Sequence, residues 1–300
     1  MKSQGAKPFV KWAGGKGALL KQLDELLPLN FSELTEVTYI EPFVGGGAML
    51  FYMLTNYKNI KRVVINDINE DLLRCYQLVK DNPYELIDRL KVIENNFYHC
   101  DETGRKELYY AYRDQYNMEG IHPNERSALF IFLNHTCFNG LYRVNSSGKF
   151  NVPCGRYKHP VICNEEVILA DHVLLNSVDV LIKTPGDYKL TERNIRKSGV
   201  NFFYFDPPYR PINNTSSFRE YTNSPFGDRQ QEELKKLCDR LTKKGCLVMQ
   251  SNSDSKNNDG SSFFEELYSD YNIKRILAPR CINASKDKRI KLNEVVILNY

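Results

Sequence analysis

The sequence lacks the motifs and segments that define several classes of protein. No two of its eight cysteines, at positions 75, 100, 137, 154, 163, 238, 246 and 281, show the two-residue spacing of a zinc knuckle or a redox motif. The N-terminal residues contain no apolar stretch of signal-peptide length, and no segment approaches the length of a transmembrane helix. We therefore expect no metal, no membrane association and a cytoplasmic protein whose cysteines stay reduced.

Neither sign of charge dominates, and low-complexity tracts are absent apart from one polar run at 251–262. The 41 Lys and Arg residues nearly balance the 37 Asp and Glu residues, so that the formal net charge is +4. This charge permits a polyanionic partner without requiring one. A hydrophobic content of 42% excludes a disordered chain and suits one large domain, or a domain with an insertion.

What the sequence does contain is an alternation of strand-like and helix-like segments. Apolar runs predict strands at 37–42, 61–67, 201–208, 245–253, 271–278 and 292–300. Helical spacing of apolar residues predicts a helix after the glycines at 45–47 and helices through most of 71–140, one of which starts at Asn82 and Pro83. Because strands that alternate with helices form parallel sheets, we predict an α/β fold with helices on both faces of a mainly parallel sheet.

The predicted α/β core is discontinuous in the chain. Strand signals fall in residues 1–70 and 165–300, whereas residues 71–164 are helical and then polar and loop-like. A long segment without strands between two strands of one sheet is typical of an insertion. We therefore predict a core of residues 1–70 and 165–300 that is interrupted by a separate, mainly helical module at 71–164.

Three glycines, Gly45 to Gly47, separate the first predicted strand from the helix that follows it. Glycines in such a turn let the backbone approach a ligand that a Cβ atom would exclude. Asp67 follows at the end of the second predicted strand, where α/β folds bind ribose hydroxyls. The pair predicts a cofactor that carries a nucleoside, and both NAD and S-adenosylmethionine satisfy this prediction. A plain tight turn with a helix-capping Asp is the alternative.

A second glycine-containing motif, FVKWAGGKGALL, starts at Phe9. In it Trp12 offers an aromatic face, and Lys16 offers a cation at a predicted helix start. The motif suits a phosphate-binding turn, but the glycine and lysine spacing of a nucleotide triphosphatase is missing. A structural role for Trp12, the single Trp of the chain, is the alternative.

The stretch FFYFDPPYRP, at residues 202–211, joins an aromatic strand to an acid, two prolines and a tyrosine. Pro207 and Pro208 fix the backbone after Asp206 and remove two amide donors, which leaves carbonyl oxygens free to accept hydrogen bonds. A carboxylate beside a fixed carbonyl, with Tyr209 as a stacking surface, suits a planar base that carries an exocyclic amino group. Bases reach such pockets by flipping out of the duplex.

Together these motifs resemble those of the amino-group DNA methyltransferases, and the match to the Dam-like adenine-N6 family is close. The blocks that carry the resemblance are, in chain order, KWAGGK, EPFVGGG, NHTCFNGLYRVNSSGKFNVPCGRYKHP at 134–160, DPPY, and RIKLNEVVILNY at the C-terminus. The resemblance covers nearly the whole chain. It implies a Rossmann-like methyltransferase sheet, S-adenosyl-L-methionine as the cofactor without a metal, and double-stranded DNA as the partner. It implies no obligate protein partner, and a monomer is compatible with it.

The resemblance also assigns roles to residues of the pocket. The residues it implies in cofactor binding are Trp12, Lys16, Phe43, Gly45, Gly47, Asp67 and Asp206. The catalytic residues it implies are Asp206, Pro207, Pro208 and Tyr209. The methyl group would pass directly to adenine N6, whose hydrogen bonds to Asp206 and a prolyl carbonyl favour a tetrahedral nitrogen. Alignment of the reacting atoms contributes on the order of 7–11 kcal/mol in the best intramolecular cases.

Positive charge is concentrated in one part of the predicted insertion. Residues 127–160 contain four cations and no Asp or Glu, and aromatic side chains are interleaved with the cations. This composition suits contact with phosphates and bases better than plain solvation. The DNA-binding residues that the resemblance implies are Lys11, Phe138, Asn139, Leu141, Arg143 and Arg156.

The resemblance implies different roles in DNA recognition for these residues. Phe138 and Asn139 would fill the gap left by the flipped base, and Lys11 would contact DNA at the edge of the site. Leu141 and Arg143 would contact base edges in the major groove, where Arg commonly binds guanine through two hydrogen bonds. The matching blocks predict GATC as the target sequence.

Three alternatives stay open at this point. An enzyme of the same fold could methylate another DNA sequence, cytosine N4, or an amino group in RNA or protein. An NAD-dependent dehydrogenase would explain the glycine loop and Asp67, but neither DPPY nor the basic segment. A catalytically silent DNA-binding protein would have a degenerate pocket, although each pocket residue is present. Whether the enzyme acts beside a restriction nuclease or alone depends on neighbouring genes.

Overall fold

A computed structural model describes residues 5–211, 226–278 and 292–300. These residues include seven strands that form one sheet, β1 (Val37–Glu41), β2 (Ile60–Ile65), β3 (Asp179–Ile182), β4 (Asn201–Phe205), β5 (Leu247–Ser253), β6 (Asn272–Ala278) and β7 (Leu292–Leu298). The spatial order is β3-β2-β1-β4-β5-β7-β6. Strands β1 to β5 run parallel to one another, whereas β7 is antiparallel to both β5 and β6. The prediction of a mainly parallel sheet is confirmed.

The central strands have the composition that burial on both faces requires. Every residue of β1 (VTYIE) and of β4 (NFFYF) is buried, and β-branched and aromatic residues dominate both strands. At one edge of the sheet, only Ile276 of β6 is fully buried. At the other edge lies β3, a strand that was not predicted. It has four residues, of which only Val180 is fully buried, so its apolar signal is short and weak.

Helices fill most of the remaining described chain. They are α1 (Leu20–Asp24), α2 (Ala48–Asn56), α3 (Glu70–Asp81), α4 (Pro83–Tyr98), α5 (Glu102–Tyr116), α6 (Pro123–Thr136), α7 (Glu165–Leu175), α8 (Asp228–Lys243) and α9 (Phe263–Leu267). The predicted helix start is confirmed, because Pro83 opens α4 and the Asn82 side chain accepts a hydrogen bond from the backbone of Glu85. Lys16 lies in a turn before α1 and not at a helix start, so that prediction was wrong.

Consecutive strand residues point to opposite faces of the sheet and so enter two separate cores. Tyr39 and Phe202 belong to the core that contains α2 to α7, whereas Ile40 and Phe203 belong to a second core with α8, for example with Leu234. Helices therefore cover both faces, as predicted.

The chain between β2 and β3 contains α3 to α7, so the predicted helical segment is confirmed. Helix α6 is buried on nearly all sides and packs against α3, α4 and α5. Residues 141–164 contain no helix, only isolated bridges such as that between Val144 and Phe150. The boundaries of the insertion, 71–164, stay a prediction.

Two sequence features fall partly or wholly outside the described residues. They are Cys281 and residues 289–291 of the C-terminal motif. The seven cysteines of the described residues are unpaired. Among the described helices, none combines the length and the apolar character that crossing a membrane would need.

Candidate active site

The candidate active site lies where three parallel strands end. Strand β1 pairs in parallel with both β2 and β4, so the segments that follow these strands lie together at the carboxyl ends of the strands. The segments are the glycine loop at 42–47, Asn66 with Asp67, and the motif at 206–209. The carboxyl ends of parallel strands form the ligand-binding crevice of α/β sheets. The geometry therefore brings the predicted cofactor and catalytic motifs together.

Asp67 holds the glycine loop in place. Its Oδ2 atom accepts a hydrogen bond from the backbone of Gly45 at 3.0 Å, and its Oδ1 atom accepts one from the backbone of Asn69 at 2.9 Å. Burial raises the pKa of the Asp67 carboxyl, and these backbone bonds oppose that rise. Because each carboxylate oxygen can accept a second hydrogen bond, the predicted ribose contact stays compatible with this arrangement.

Two of the three glycines are required by close packing. Gly47 has a φ of 75°, and a Cβ atom there would overlap the hydroxyl of Tyr76. Tyr76 in turn donates that hydroxyl to the carbonyl of Gly45 at 3.0 Å. A Cβ atom on Gly45, whose φ is 47°, would lie 2.7 Å from Cδ1 of Trp12. The Trp12 indole thus lies directly against the glycine loop.

Lys16 is the centre of a charged cluster at the end of β4. The Lys16 ammonium is 4% exposed and lies 3.2 Å from Asp206 Oδ1 and 3.6 Å from Glu294 Oε2. Its Nζ atom also donates to the carbonyl of Gly14 at 3.0 Å and sits 4.4 Å from the centroid of the Tyr209 ring. The Tyr209 hydroxyl donates to Glu294 Oε2 at 2.7 Å. We call Lys16, Asp206, Tyr209 and Glu294 the catalytic cluster, after the predicted catalytic residues Asp206 and Tyr209 that it contains.

The protonation of Asp206 is set by this environment. Burial raises the pKa of the Asp206 carboxyl to about 6, the Lys16 ammonium opposes the rise, and the Glu294 carboxylate adds to it. At pH 8 the carboxyl is therefore ionised and can accept hydrogen bonds from an amine. At pH 6 about half of the molecules carry it protonated.

The two prolines are fixed by the neighbouring elements α8 and β5. Gln231 on α8 donates its side-chain amide to the Pro208 carbonyl at 3.2 Å and receives a hydrogen bond from Asn252 on β5. The Asn252 side chain also accepts the backbone N–H of Arg210 at 3.1 Å. Among the described residues, no hydrogen bond reaches the Pro207 carbonyl, which leaves this oxygen for an external donor.

Phe43, at the start of the glycine loop, packs in an aromatic group on one side of the crevice. Its ring centroid lies 5.0 Å from that of Tyr188 and 5.8 Å from that of Phe226. Phe43 keeps part of its surface exposed. A half-exposed ring that its neighbours hold in place suits the predicted cofactor contact.

Sequence reasoning missed several residues that shape this site. They are Glu41, Gln231, Asn252 and Glu294. Glu41 is buried at the end of β1, where it accepts the Tyr39 hydroxyl at 2.7 Å, and its burial raises the pKa of the carboxyl far above the ordinary value. An acid at the end of an otherwise apolar strand was the available signal for Glu41. Gln231 and Asn252 gave no such signal, because the sequence does not distinguish them from ordinary polar residues of a helix and of a strand.

Four of the predicted DNA-contacting residues lie on one turn after α6. We call residues 138–143 the recognition turn. Phe138 is 50% exposed, and Asn139 is exposed with a φ of 54° in the left-handed region. An exposed phenylalanine ring on a turn presents apolar surface to solvent. Leu141 and Arg143 are half-buried on the same turn.

The recognition turn is connected to the N-terminal segment. The Asn134 side chain accepts the backbone N–H of Lys11 at 2.7 Å and donates to the Lys11 carbonyl at 2.8 Å. The Lys11 ammonium lies 4.1 Å from the centroid of the Tyr157 ring. The Arg143 guanidinium donates to the Asn151 side chain at 2.8 Å. The structure thus brings Lys11 to the recognition turn, while Arg156 is exposed on the segment that follows it.

Trp12 lies between the recognition turn and the glycine loop. One side of its indole lies against Gly45, and the ring stacks on that of Tyr142 with a centroid distance of 6.0 Å. The predicted cofactor contact and the alternative structural role are therefore not exclusive. Trp12 packs between two motifs while part of its surface stays exposed.

The sheet order, the antiparallel β7 and the motifs at the strand ends define an α/β enzyme with a Rossmann-like methyltransferase fold. Its sequence matches the family of D12 class N6 adenine-specific DNA methyltransferases over residues 12–281. The chain belongs to this family. It is an adenine-specific DNA methyltransferase, which decides against the dehydrogenase, the silent binder and the methylation of cytosine N4.

Individual relatives agree with this assignment. The chain is 46% identical to the type II methyltransferase M.MjaIII of Methanocaldococcus jannaschii, across 98% of this chain and 99% of that protein. It is 36% identical to the type II methyltransferase M1.LlaDCHI of Lactococcus lactis subsp. cremoris, across 98% and 95% of the two chains. It is also 33% identical to the DNA adenine methylase of Haemophilus influenzae, across 97% and 93%. The similarity therefore spans full-length enzymes.

Proposed function

We propose that the enzyme transfers a methyl group from S-adenosyl-L-methionine to N6 of an adenine that has flipped out of double-stranded DNA at GATC. The observation that carries the proposal is the Asp206 carboxylate, which is paired with Lys16 beside the unbonded Pro207 carbonyl, at the same sheet edge as the glycine loop. Bound S-adenosylmethionine supplies an electrophilic methyl carbon on a sulfonium, so the chain has to align the acceptor and has no need to activate the donor.

The residues of the crevice suit this cofactor. Gly45 and Gly47 keep the loop free of Cβ atoms, Asp67 offers carboxylate oxygens to ribose hydroxyls, and Lys16 is a buried cation for an anionic group. The residues proposed to bind it are Trp12, Lys16, Phe43, Gly45, Gly47, Asp67 and Asp206.

The residues after β4 are proposed to convert a weak nucleophile into a reactive one. The lone pair of the adenine amino group is delocalised into the ring. Hydrogen bonds from its two N–H groups to Asp206 and to the Pro207 carbonyl favour a tetrahedral nitrogen whose lone pair faces the methyl carbon. The methyl group would come from the cofactor held beside the glycine loop, and Asp206 or solvent would accept the proton that the nitrogen loses once it is methylated. The Tyr209 ring supplies the surface on which the base stacks.

DNA recognition is proposed to reside in the recognition turn and in Lys11. The exposed Phe138 ring and Asn139 would occupy the space that the flipped adenine leaves in the duplex. Arg143 would bind guanine in the major groove with Leu141 beside it, and Arg156 would contact the backbone. The name of the Haemophilus influenzae relative, DNA adenine methylase, supports adenine methylation in DNA, and GATC rests on the FNGLYR and NVPCGRYK blocks.

Mass spectrometry of nucleosides tests the reaction and the target together. The purified enzyme is incubated with S-adenosylmethionine and two duplexes, one with GATC and one with the same four bases scrambled. We expect N6-methyladenine in the first duplex alone. N6-methyladenine in both would remove GATC and retain the chemistry, whereas no methylated base in either would contradict the proposed cofactor and reaction.

Base flipping has its own test. Replacement of the target adenine by 2-aminopurine gives a base whose fluorescence is quenched by stacking. We expect its emission to rise severalfold when enzyme and a cofactor analogue bind, since the base leaves the duplex stack. An unchanged emission in a complex that binds tightly would contradict flipping.

A further inference from the structure

Glu294 reaches the catalytic cluster although it lies far along the chain from the DPPY motif. It lies at the start of β7, which pairs antiparallel to β5, and the register places it opposite Ser253. Ser253 in turn donates its hydroxyl to the carbonyl of Arg210, directly after the DPPY motif. Because β7 lies antiparallel beside β5, it brings the Glu294 carboxylate to the end of β4. No motif next to Glu294 in the sequence predicts this position.

The hydroxyl of Tyr209 donates to Glu294, and it also lies close enough to Asp206 to lower the pKa of that carboxyl. A phenol has one proton to donate, and here it goes to Glu294 Oε2 at 2.7 Å. The two prolines fix the backbone before Tyr209, but they do not fix the side-chain torsions of its ring. The bond to Glu294 anchors the far end of the ring, so the position of the ring on which a base can stack is held at both ends.

Lys16 is held by the same carboxylate. Its ammonium faces Asp206 Oδ1 at 3.2 Å, the Gly14 carbonyl at 3.0 Å and Glu294 Oε2 at 3.6 Å. The Lys16 side chain is 4% exposed, and that of Glu294 is 16% exposed, so water screens this attraction little. Without Glu294, the only remaining carboxylate within ion-pair distance of Lys16 among the described residues is Asp206.

We propose that Glu294 is a positioning residue for methyl transfer, which anchors the Tyr209 ring through its hydroxyl and shares the Lys16 charge with Asp206. The inference rests on the proposed function. Glu294 touches neither the base nor the methyl carbon in this account, and it acts through the two side chains that it holds.

The charge of Glu294 gives the proposal a readout that a structural role would not change. Its negative charge is one cause of the raised pKa of Asp206, together with burial. Loss of that charge lets Asp206 ionise more readily, so the fall in activity on acidification should begin at a lower pH. Glu294→Gln keeps an oxygen that can accept the Tyr209 hydroxyl and removes only the charge.

The experiment measures single-turnover methylation of a duplex at saturating cofactor and DNA between pH 5 and 9. For Glu294→Gln we expect the acid limb of the rate profile to move to lower pH. For Glu294→Ala we expect the maximal rate to fall about tenfold, because the ring anchor is lost as well. Tyr209→Phe should give a similar loss, and the double variant Tyr209→Phe with Glu294→Ala should be no slower than the slower single variant, since both remove one hydrogen bond.

Glu192→Gln is the matched control. Glu192 is 19% exposed, close to the 16% of Glu294, and it also serves two cations, Arg240 and Lys244, in an ion-pair group outside the catalytic cluster. We expect this variant to keep the wild-type pH profile. Thermal unfolding of all variants identifies any that fail to fold, in which case Tyr209→Phe and Glu294→Gln decide the matter.

The outcomes distinguish a failure of the proposed function from a failure of the proposed role of Glu294. A wild-type enzyme that methylates no adenine contradicts the proposed function itself. A wild-type enzyme that methylates adenine, with Glu294→Gln and Glu294→Ala matching it in rate and in pH profile, overturns the role of Glu294 alone. Multiplicative losses in the double variant would equally overturn it, because they would show that Tyr209 and Glu294 act independently.

Discussion

The catalytic cluster and the recognition turn are proposed to serve one reaction, yet the chain holds them very differently. In the cluster, Lys16 is 4% exposed and contacts two carboxylates, and each neighbouring segment is fixed by hydrogen bonds from α8, β5 or β7. In the recognition turn, Phe138 is 50% exposed and Asn139 is exposed. On the proposed function, the chemistry would depend on groups that folding has already aligned, whereas target selection would depend on surfaces that DNA has to complete.

The largest effect should come from the cluster, by Asp206→Asn. The amide keeps the size of the side chain but loses the carboxylate that orients the target amine, so we expect the methylation rate to fall by about a thousandfold or more. DNA affinity, measured by fluorescence anisotropy, should stay within a fewfold of wild type. The free energy of unfolding at pH 8 should not fall, because burial disfavours the charged carboxyl. A variant that unfolds would indicate a structural role for Asp206.

The second effect concerns the glycine loop, by Gly47→Ala. The new Cβ atom meets the Tyr76 hydroxyl at a positive φ, so we expect a loss of about 2–4 kcal/mol in stability and weaker cofactor binding by calorimetry. Gly245→Ala is the matched control, since Gly245 has the same φ of 75° but no atom within 4 Å of its Cβ position. It should cost about 1 kcal/mol and leave cofactor affinity unchanged. Equal behaviour of the two variants would refute the packing argument.

In the recognition turn, Arg143→Ala tests base contact. A lost pair of hydrogen bonds to guanine is worth about 1–3 kcal/mol of discrimination, so we expect the preference for GATC over single-base variants to fall by about tenfold or more at the guanine. Lys158→Ala, a change of an exposed cation in the same basic segment, should weaken all duplexes alike. Competition between labelled duplexes provides the measurement. A uniform drop for Arg143→Ala would mean that Arg143 contacts phosphate.

The smallest expected effect is a pH dependence that separates activity from folding. With a pKa of about 6, Asp206 loses its charge below pH 6, and we expect the rate to fall about tenfold per pH unit there. A folded-state pKa above the ordinary value means that protonation favours the folded state. The contribution of Asp206 to stability is therefore present at low pH and is lost as pH rises through 6. Circular dichroism at pH 5.5 should show an intact fold while the rate is already reduced.

Much of the fold was open to prediction because the central strands are buried on both faces. β1 and β4 appear in the sequence as continuous apolar runs next to glycines or prolines, and the cap at Asn82 has a local chemical cause. β3 escaped because a short, half-buried edge strand needs few apolar residues. The turn at Lys16 was mistaken for a helix start because a glycine-rich segment before a helix looks the same whether the helix begins at once or a few residues later.

The chemistry of this protein could be predicted from local motifs alone, since the residue types of Asp206, the two prolines, the glycine loop and Asp67 restrict what they can bind. The order of those motifs also predicts a recognition segment before the catalytic one. Which side chains from distant parts of the sequence contact these motifs depends on the tertiary structure. Glu294, at the opposite end of the chain from Lys16, enters the site because β7 runs antiparallel beside β5. Strand pairing is a long-range property that depends on the packing of the whole sheet, so no local pattern around Glu294 could disclose its partner.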